Sequence, residues 1–205
     1  MSQEVLETGQ ESPRRGMPAW GAWTIGIVAL ALITIANLAV AAELALRSVE
    51  ADNLVAAVEQ SETAMKTTQA EFDEVLSAYD TENLTDAERE QLRAELSDVA
   101  ERGGTAIADA GGFVAGIQIL PWHTQVLDAQ EAYLAHNQAW VDYMAAAAED
   151  PAEWFRPQPA VNETFAQAKD PLVEAVPLFD PLGTLSRIEL IYVTGSGDSG
   201  DGQSA

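Results

Sequence analysis

Polar and apolar positions divide this chain into two contrasting regions. From Gly16 to Ala42 there is no charged residue, and the 23 residues from Trp20 to Ala42 are almost wholly Ala, Leu, Ile, Val, Trp and Gly. A helix over that stretch rises roughly 35 Å, enough to cross a hydrocarbon core about 30 Å thick. Beyond it, apolar residues recur at helical spacing. Ala51, Leu54, Val58, Ser61, Met65, Thr68, Phe72, Val75 and Tyr79 alternate steps of three and four. That is a coiled-coil-like seam with two polar members. Glu43, Glu50, Asp52, Glu59, Glu62, Glu71 and Glu74 lie off it. The pattern predicts one long helix, continuing from the apolar segment to about Asp80.

A turn and a new start follow. In Asn83-Leu84-Thr85-Asp86-Ala87-Glu88, Thr85 and Glu88 form a capping-box pair. A second seam runs through Leu92, Leu96, Val99, Gly103, Ala106, Ala110, Phe113, Ile117 and Leu120, so the two helices form an antiparallel hairpin. With the turn centred near residue 82, Phe72 faces Leu92 and Ser61 faces Gly103. Gly103, Gly104, Gly111, Gly112 and Gly116 each cost a helix roughly 1 kcal/mol relative to alanine. Two readings remain open: close helix–helix contact, or a break that borders a ligand cavity.

Pro121 ends or kinks that helix. From Trp122 to Ala148, one face carries Trp122, Val126, Ala129, Tyr133, His136, Trp140 and Met144, with Leu127, Leu134 and Val141 beside it. So broad an apolar surface predicts a helix central to a bundle. Three Asp-Pro pairs follow, at Asp150-Pro151, Asp170-Pro171 and Asp180-Pro181, each pairing a capping residue with a proline suited to the first helical position. Ile188 to Val193 is β-branched enough to leave a short strand open. The predicted organisation is all-α. A short cytoplasmic tail (1–18) precedes a transmembrane signal-anchor helix (19–42), which continues into an extracytoplasmic antiparallel bundle (43–193) of three to four main helices. Helices are expected over about 43–80, 85–120, 121–149, 160–176 and 181–192, followed by a disordered Gly/Ser/Asp tail (194–205).

Charge sharpens the location. The formal net charge is −23, with 33 acidic against 10 basic residues, and nearly all of the excess falls after the apolar segment. Such a surface repels nucleic acid, whose binding needs Lys and Arg to neutralise phosphates, and it repels anionic headgroups. The alanine-rich, lysine-poor style is that of a GC-rich bacterial chain. There is no cysteine, so thiol chemistry, disulfides and Cys-based metal sites are excluded. Arg14 and Arg15 precede the apolar run and only Arg47 closely follows it. The positive-inside rule then places the N-terminus in the cytoplasm and the C-terminal region outside. Trp20 and Trp23 are expected as interfacial anchors. The competing reading is a signal peptide cleaved after Ala39-Val40-Ala41, which would give a secreted helical protein. Against it stand the length of the apolar run and the helical pattern that continues beyond the site. Asn37 either bonds across a helix pair or is tolerated near the outer interface.

Chemistry is sparse. His123 and His136 lie thirteen residues apart, roughly 20 Å along an unbroken helix, too far to share a metal. The positions three before them are Leu120 and Tyr133, which excludes the Glu-x-x-His pairs of a di-iron bundle. No helical spacing pairs His136 with Asp128 or Glu131. No nucleophile elbow, phosphate loop or dinucleotide fingerprint is present, and the acidic tail lacks the ligand set of a calcium loop. No catalytic residue, metal site or cofactor is therefore expected. Trp122, Tyr133, His136 and Trp140 are candidate ligand-binding residues if the glycine-rich helix bends away; otherwise they are core. The expected function is a non-enzymatic, membrane-anchored bundle that meets an envelope protein or a second copy of itself. The alternative is an extracytoplasmic module for a small molecule or lipid, analogous to bacterial sensor bundles. A hydrolase built on an unrecognised carboxylate pair ranks third.

Overall fold

The computed structural model describes the backbone of residues 19–81 and 83–195 and the side chains of residues 27–81 and 83–193. The expectations for Arg14, Arg15 and the Trp20 and Trp23 side chains lie outside the described residues, as does the tail beyond Gly195. Five α-helices make an all-α protein: α1 (Ala19–Ser77), α2 (Asp86–Ala115), α3 (Thr124–Glu149), α4 (Pro159–Ala175) and α5 (Thr184–Gly195). A 3₁₀ turn, Pro151–Phe155, links α3 to α4. The chain divides into two units, Met1–Glu43 and Leu44–Ala205.

In the first unit the large apolar side chains from Ile27 to Val40 are 55% to 66% exposed. They form one long apolar N-terminal helix segment, a candidate membrane span. In the second unit the same helix turns amphipathic, and Ala51, Leu54, Val58, Ser61, Met65, Thr68 and Phe72 of the expected seam are all buried.

The bundle alternates in direction. Arg102 on α2 reaches Glu71 on α1 at 3.3 Å, so α2 descends beside α1. His123 meets Glu50 and Asn137 meets Ser61, so α3 runs parallel to α1. Arg47 donates to the carbonyls of Ala175 and Glu174 at the end of α4, where a cation complements the exposed helix C-terminus. Arg187 bridges Asp52 and Glu59, which places α5 against α1. One end of the bundle, here termed proximal, therefore gathers the start of α1's buried face with the α2–α3 and α4–α5 connections. The distal end holds the α1–α2 turn and the 3₁₀ turn. Two apolar clusters fill the interior. The proximal one contains Leu54, Val58, Val126, Leu172 and Ile188, and the distal one Met65, Phe72, Leu96, Ile107 and Met144.

Local chemistry accounts for several boundaries. The Thr85 hydroxyl accepts from the Glu88 N–H while the Glu88 carboxylate accepts from the Thr85 N–H at 2.8 Å, completing the capping box. Asp150 caps the 3₁₀ turn through the Ala152 N–H. Asp180 accepts from the N–H groups of Thr184 and Leu185, so α5 starts at Thr184, with Gly183 turning the chain at φ +70°. Asp170 departs from the expected pattern, because α4 runs straight through Pro171. Ile188 to Val193 is helical, within α5. The second helix ends at Ala115 rather than near residue 120, capped by the Gly116 N–H bonding to the Gly112 carbonyl.

Two expectations about α2 are corrected. Its buried face passes through Ile107, Ala110, Gly111 and Val114, leaving Ala106 and Phe113 exposed. A strict seven-residue repeat drifts about 20° per heptad against a real helix, and the contact with α3 draws the face round further. Gly103 faces Thr68, one heptad beyond Ser61. Gly103 and Gly111 serve close approach in an unbroken helix. A Cβ on Gly103 would lie 2.2 Å from the Thr68 methyl, and one on Gly111 2.1 Å from the Asn137 carbonyl oxygen. Gly112 has open space around it.

Gly103→Ala is expected to cost about 1–3 kcal/mol by overpacking. Gly112→Ala is expected to stabilise by about 0.5–1 kcal/mol through helix propensity. Urea titrations of the detergent-solubilised chain, followed by circular dichroism, compare the two. Equal effects would contradict the close-approach account.

Candidate functional site: a buried carboxylate–histidine layer

The chemically richest place in the bundle is a polar layer between the two apolar clusters. On α1 the buried apolar run ends at Val58 and resumes at Met65, with Ser61 and Glu62 between them. On α3, His136 and Asn137 interrupt the buried series in the same way. The four side chains meet because α1 and α3 run parallel, which brings the two interruptions to one level.

The layer is closely bonded. The Tyr133 hydroxyl donates to Glu62 Oε1 at 2.8 Å. His136 Nε2 faces the same carboxylate oxygen at 3.6 Å. Its Nδ1 lies 3.2 Å from Thr164 Oγ1. The single hydroxyl proton of Thr164 serves the Ala160 carbonyl at 2.8 Å. Thr164 Oγ1 is then the acceptor for His136 Nδ1–H. Asn137 donates to Ser61 Oγ and to the Ile107 carbonyl, both at 3.0 Å. One amide thus joins α1, α2 and α3, at the level where Gly111 admits it.

A second carboxylate–histidine pair lies nearer the proximal end. Glu50 Oε2 is 2.5 Å from His123 Nδ1, and Glu50 Oε1 accepts from the Leu120 N–H at 3.1 Å. The α2–α3 connection is thereby tied to α1. Both glutamates were expected off the seam of α1; both are buried. Removing a carboxylate from water costs several kcal/mol unless partners replace its hydration, and here they do. Among the described residues, no group of three or more His, Asp or Glu is placed to hold a metal ion.

The four residues nominated as ligand-binding candidates occupy three places. Tyr133 and His136 are neighbours in the layer, with ring centroids 5.7 Å apart. Trp140 packs against Tyr143 in the distal cluster. Trp122 stands on the α2–α3 connection, 63% exposed. Sequence reading missed Glu50, Glu62 and Asn137. The uninterrupted run Leu54-Val55-Ala56-Ala57-Val58 was the available signal that α1 is wrapped on more than one side.

Burial holds Tyr133 well above the ordinary phenol value, reinforced by the Glu62 carboxylate, and burial likewise raises Tyr143 and Tyr192. A raised folded value means the stability is complete below about pH 10, where unfolded phenols begin to ionise, and is lost as pH rises toward the folded values. Helix content and phenolate absorbance are therefore expected to change together in alkali, and full phenolate absorbance with intact helix signal would contradict this. Tyr133→Phe removes the donor to Glu62 and is expected to cost about 1–3 kcal/mol, with a shallower alkaline loss. No protein-family model matches this chain, and no curated protein or solved structure is significantly similar to it.

Proposed function

We propose that this chain is a single-pass membrane protein whose extracytoplasmic bundle, residues 43–193, is a non-enzymatic interaction module. Its partner is another cell-envelope protein or a second copy of itself. The observation that carries this reading is the apolar half of α1. Eight large aliphatic side chains from Ile27 to Val40 are exposed along it. At about 1.5–3 kcal/mol for each such side chain, leaving them in water forfeits on the order of 10–20 kcal/mol. That is as large as the stability of a whole domain, and a bilayer removes the cost. The orientation rests on Arg14 and Arg15 preceding the run, against Arg47 alone after it.

The non-enzymatic part of the reading draws on the polar layer. Tyr133, His136 and Glu62 are buried together, with Tyr133 bonded to Glu62 and His136 to Thr164, the arrangement of an internal tie. The solvated faces of the bundle are acidic, which favours partners with basic or neutral surfaces.

Protease treatment of intact cells is expected to remove an epitope placed after Thr194 and leave a membrane-bound fragment containing the apolar run. Complete protection of the epitope would overturn the topology, and a mature protein beginning at Ala42 in the medium would overturn the anchor. Photo-crosslinking from exposed bundle positions in cells is expected to capture a discrete envelope protein or a dimer. Crosslinks to lipid alone would count against an interaction module.

A further inference from the structure

We infer that the proximal end of the bundle is a lipid-docking surface, on which the α2–α3 and α4–α5 connections insert apolar side chains into the interface of a zwitterionic bilayer. This rests on the anchored reading and adds a second, independent contact with the membrane. Both connections meet α1 at one level, between Arg47 and Asp52. Glu50 accepts from the Leu120 N–H and meets His123, which fixes the first connection. Arg47 holds the Ala175 carbonyl at 3.0 Å, and Asp52 meets Thr184 at 3.2 Å, which fixes the second on both flanks.

The exposed side chains of these connections are large and apolar. Leu178 is fully exposed, Phe179 75%, Trp122 63% and Leu182 50%. Isolated apolar residues on a surface are ordinary, but four large ones on the two connections at one end of the bundle are a concentration. Charge separates the two ends as well. Residues 116–123 contain no Asp, Glu, Lys or Arg, and residues 176–183 contain only Asp180, whose carboxylate caps α5. At the distal end lie Asp80, Asp86, Glu88, Asp150 and Glu153, with Phe155 the one large apolar side chain exposed among its described connections. In a chain of net charge −23, so uncharged a surface is a marked departure.

Position identifies the occupant. The apolar run ends at Ala42, and Arg47, which anchors the α4–α5 connection, follows five residues later. Five residues of chain reach at most about 18 Å, so a bundle tethered to an anchored helix keeps its proximal end beside the bilayer. Tryptophan and phenylalanine on such a surface suit the interfacial zone. Without clustered Lys or Arg, attraction to anionic headgroups contributes nothing, so insertion is driven by apolar area and is insensitive to salt.

The absence of native cysteine allows single-site labelling of the full chain. Variants Trp122→Cys, Phe179→Cys, Thr81→Cys and Ala36→Cys, each carrying an environment-sensitive fluorophore, are reconstituted in phosphatidylcholine vesicles. The vesicles contain lipids spin-labelled either near the headgroup or at mid-chain. Labels at Trp122 and Phe179 are expected to lose most of their fluorescence to headgroup-proximal quencher, equally in low and high salt. The label at Thr81, at the distal turn, is expected to be unaffected, and the label at Ala36 to be quenched from mid-chain. If Ala36 is quenched while Trp122 and Phe179 match Thr81, the docking surface is refuted and the anchor stands. If Ala36 escapes quenching, the anchored reading itself fails. Protection of Trp122 and Phe179 only when an envelope protein is added would assign the patch to that protein and overturn the lipid proposal.

Discussion

Glu50 and Glu62, two buried carboxylates on α1, set the terms for the rest of the bundle. A buried carboxylate is tolerated only where donors replace the water it has lost. For Glu62 the donor is the Tyr133 hydroxyl, with His136 Nε2 beside it at 3.6 Å, and for Glu50 it is the Leu120 N–H, with His123 Nδ1 at 2.5 Å. Sliding α3 along α1 by one turn would strand both glutamates at once. Apolar contacts are non-directional and tolerate such slips more readily. The polar pairs do not, so they specify register and the parallel course of α1 and α3. Breaking one member of such a pair is costly even where the pair itself contributes little net stability.

The same layer explains the glycines. Asn137 reaches the Ile107 carbonyl only because no side chain projects from Gly111, and Thr68 occupies the space that a side chain on Gly103 would fill. The helix gives up intrinsic propensity at these positions in return for backbone-level contact with both neighbours. At the distal end the packing becomes aromatic. Phe72 stacks on Trp154 with ring centroids 3.7 Å apart, and Trp154 lies parallel to Tyr143 at 5.6 Å. The 3₁₀ turn is thereby pressed onto the α1–α2 hairpin.

Much of this was legible in one dimension. The apolar run, the first seam and the Thr85–Glu88 cap are local signals, generated by residues three or four positions apart. The second seam was legible in part: Leu92, Leu96, Val99, Gly103 and Ala110 are buried, while Ala106 and Phe113 are exposed where contact with α3 outweighs the repeat. The partners of the two histidines were illegible for a simple reason. They lie 73 and 74 residues away on another helix, and a search for carboxylates within α3 could not meet them. Asp170-Pro171 carried a start signal that tertiary packing overrode, since Ala168, Leu172 and Ala175 continue one buried stripe across it.

By itself, then, the amino-acid order determined helicity, the apolar segment, the acidic surface and the absence of thiol chemistry. Each is a property of composition or of short-range periodicity. Which glutamates leave water, which glycines touch a neighbour, and which apolar side chains end up together at one end of the bundle were decided only by tertiary structure. These depend on the register between helices, and register follows from the simultaneous satisfaction of buried polar groups drawn from distant parts of the chain.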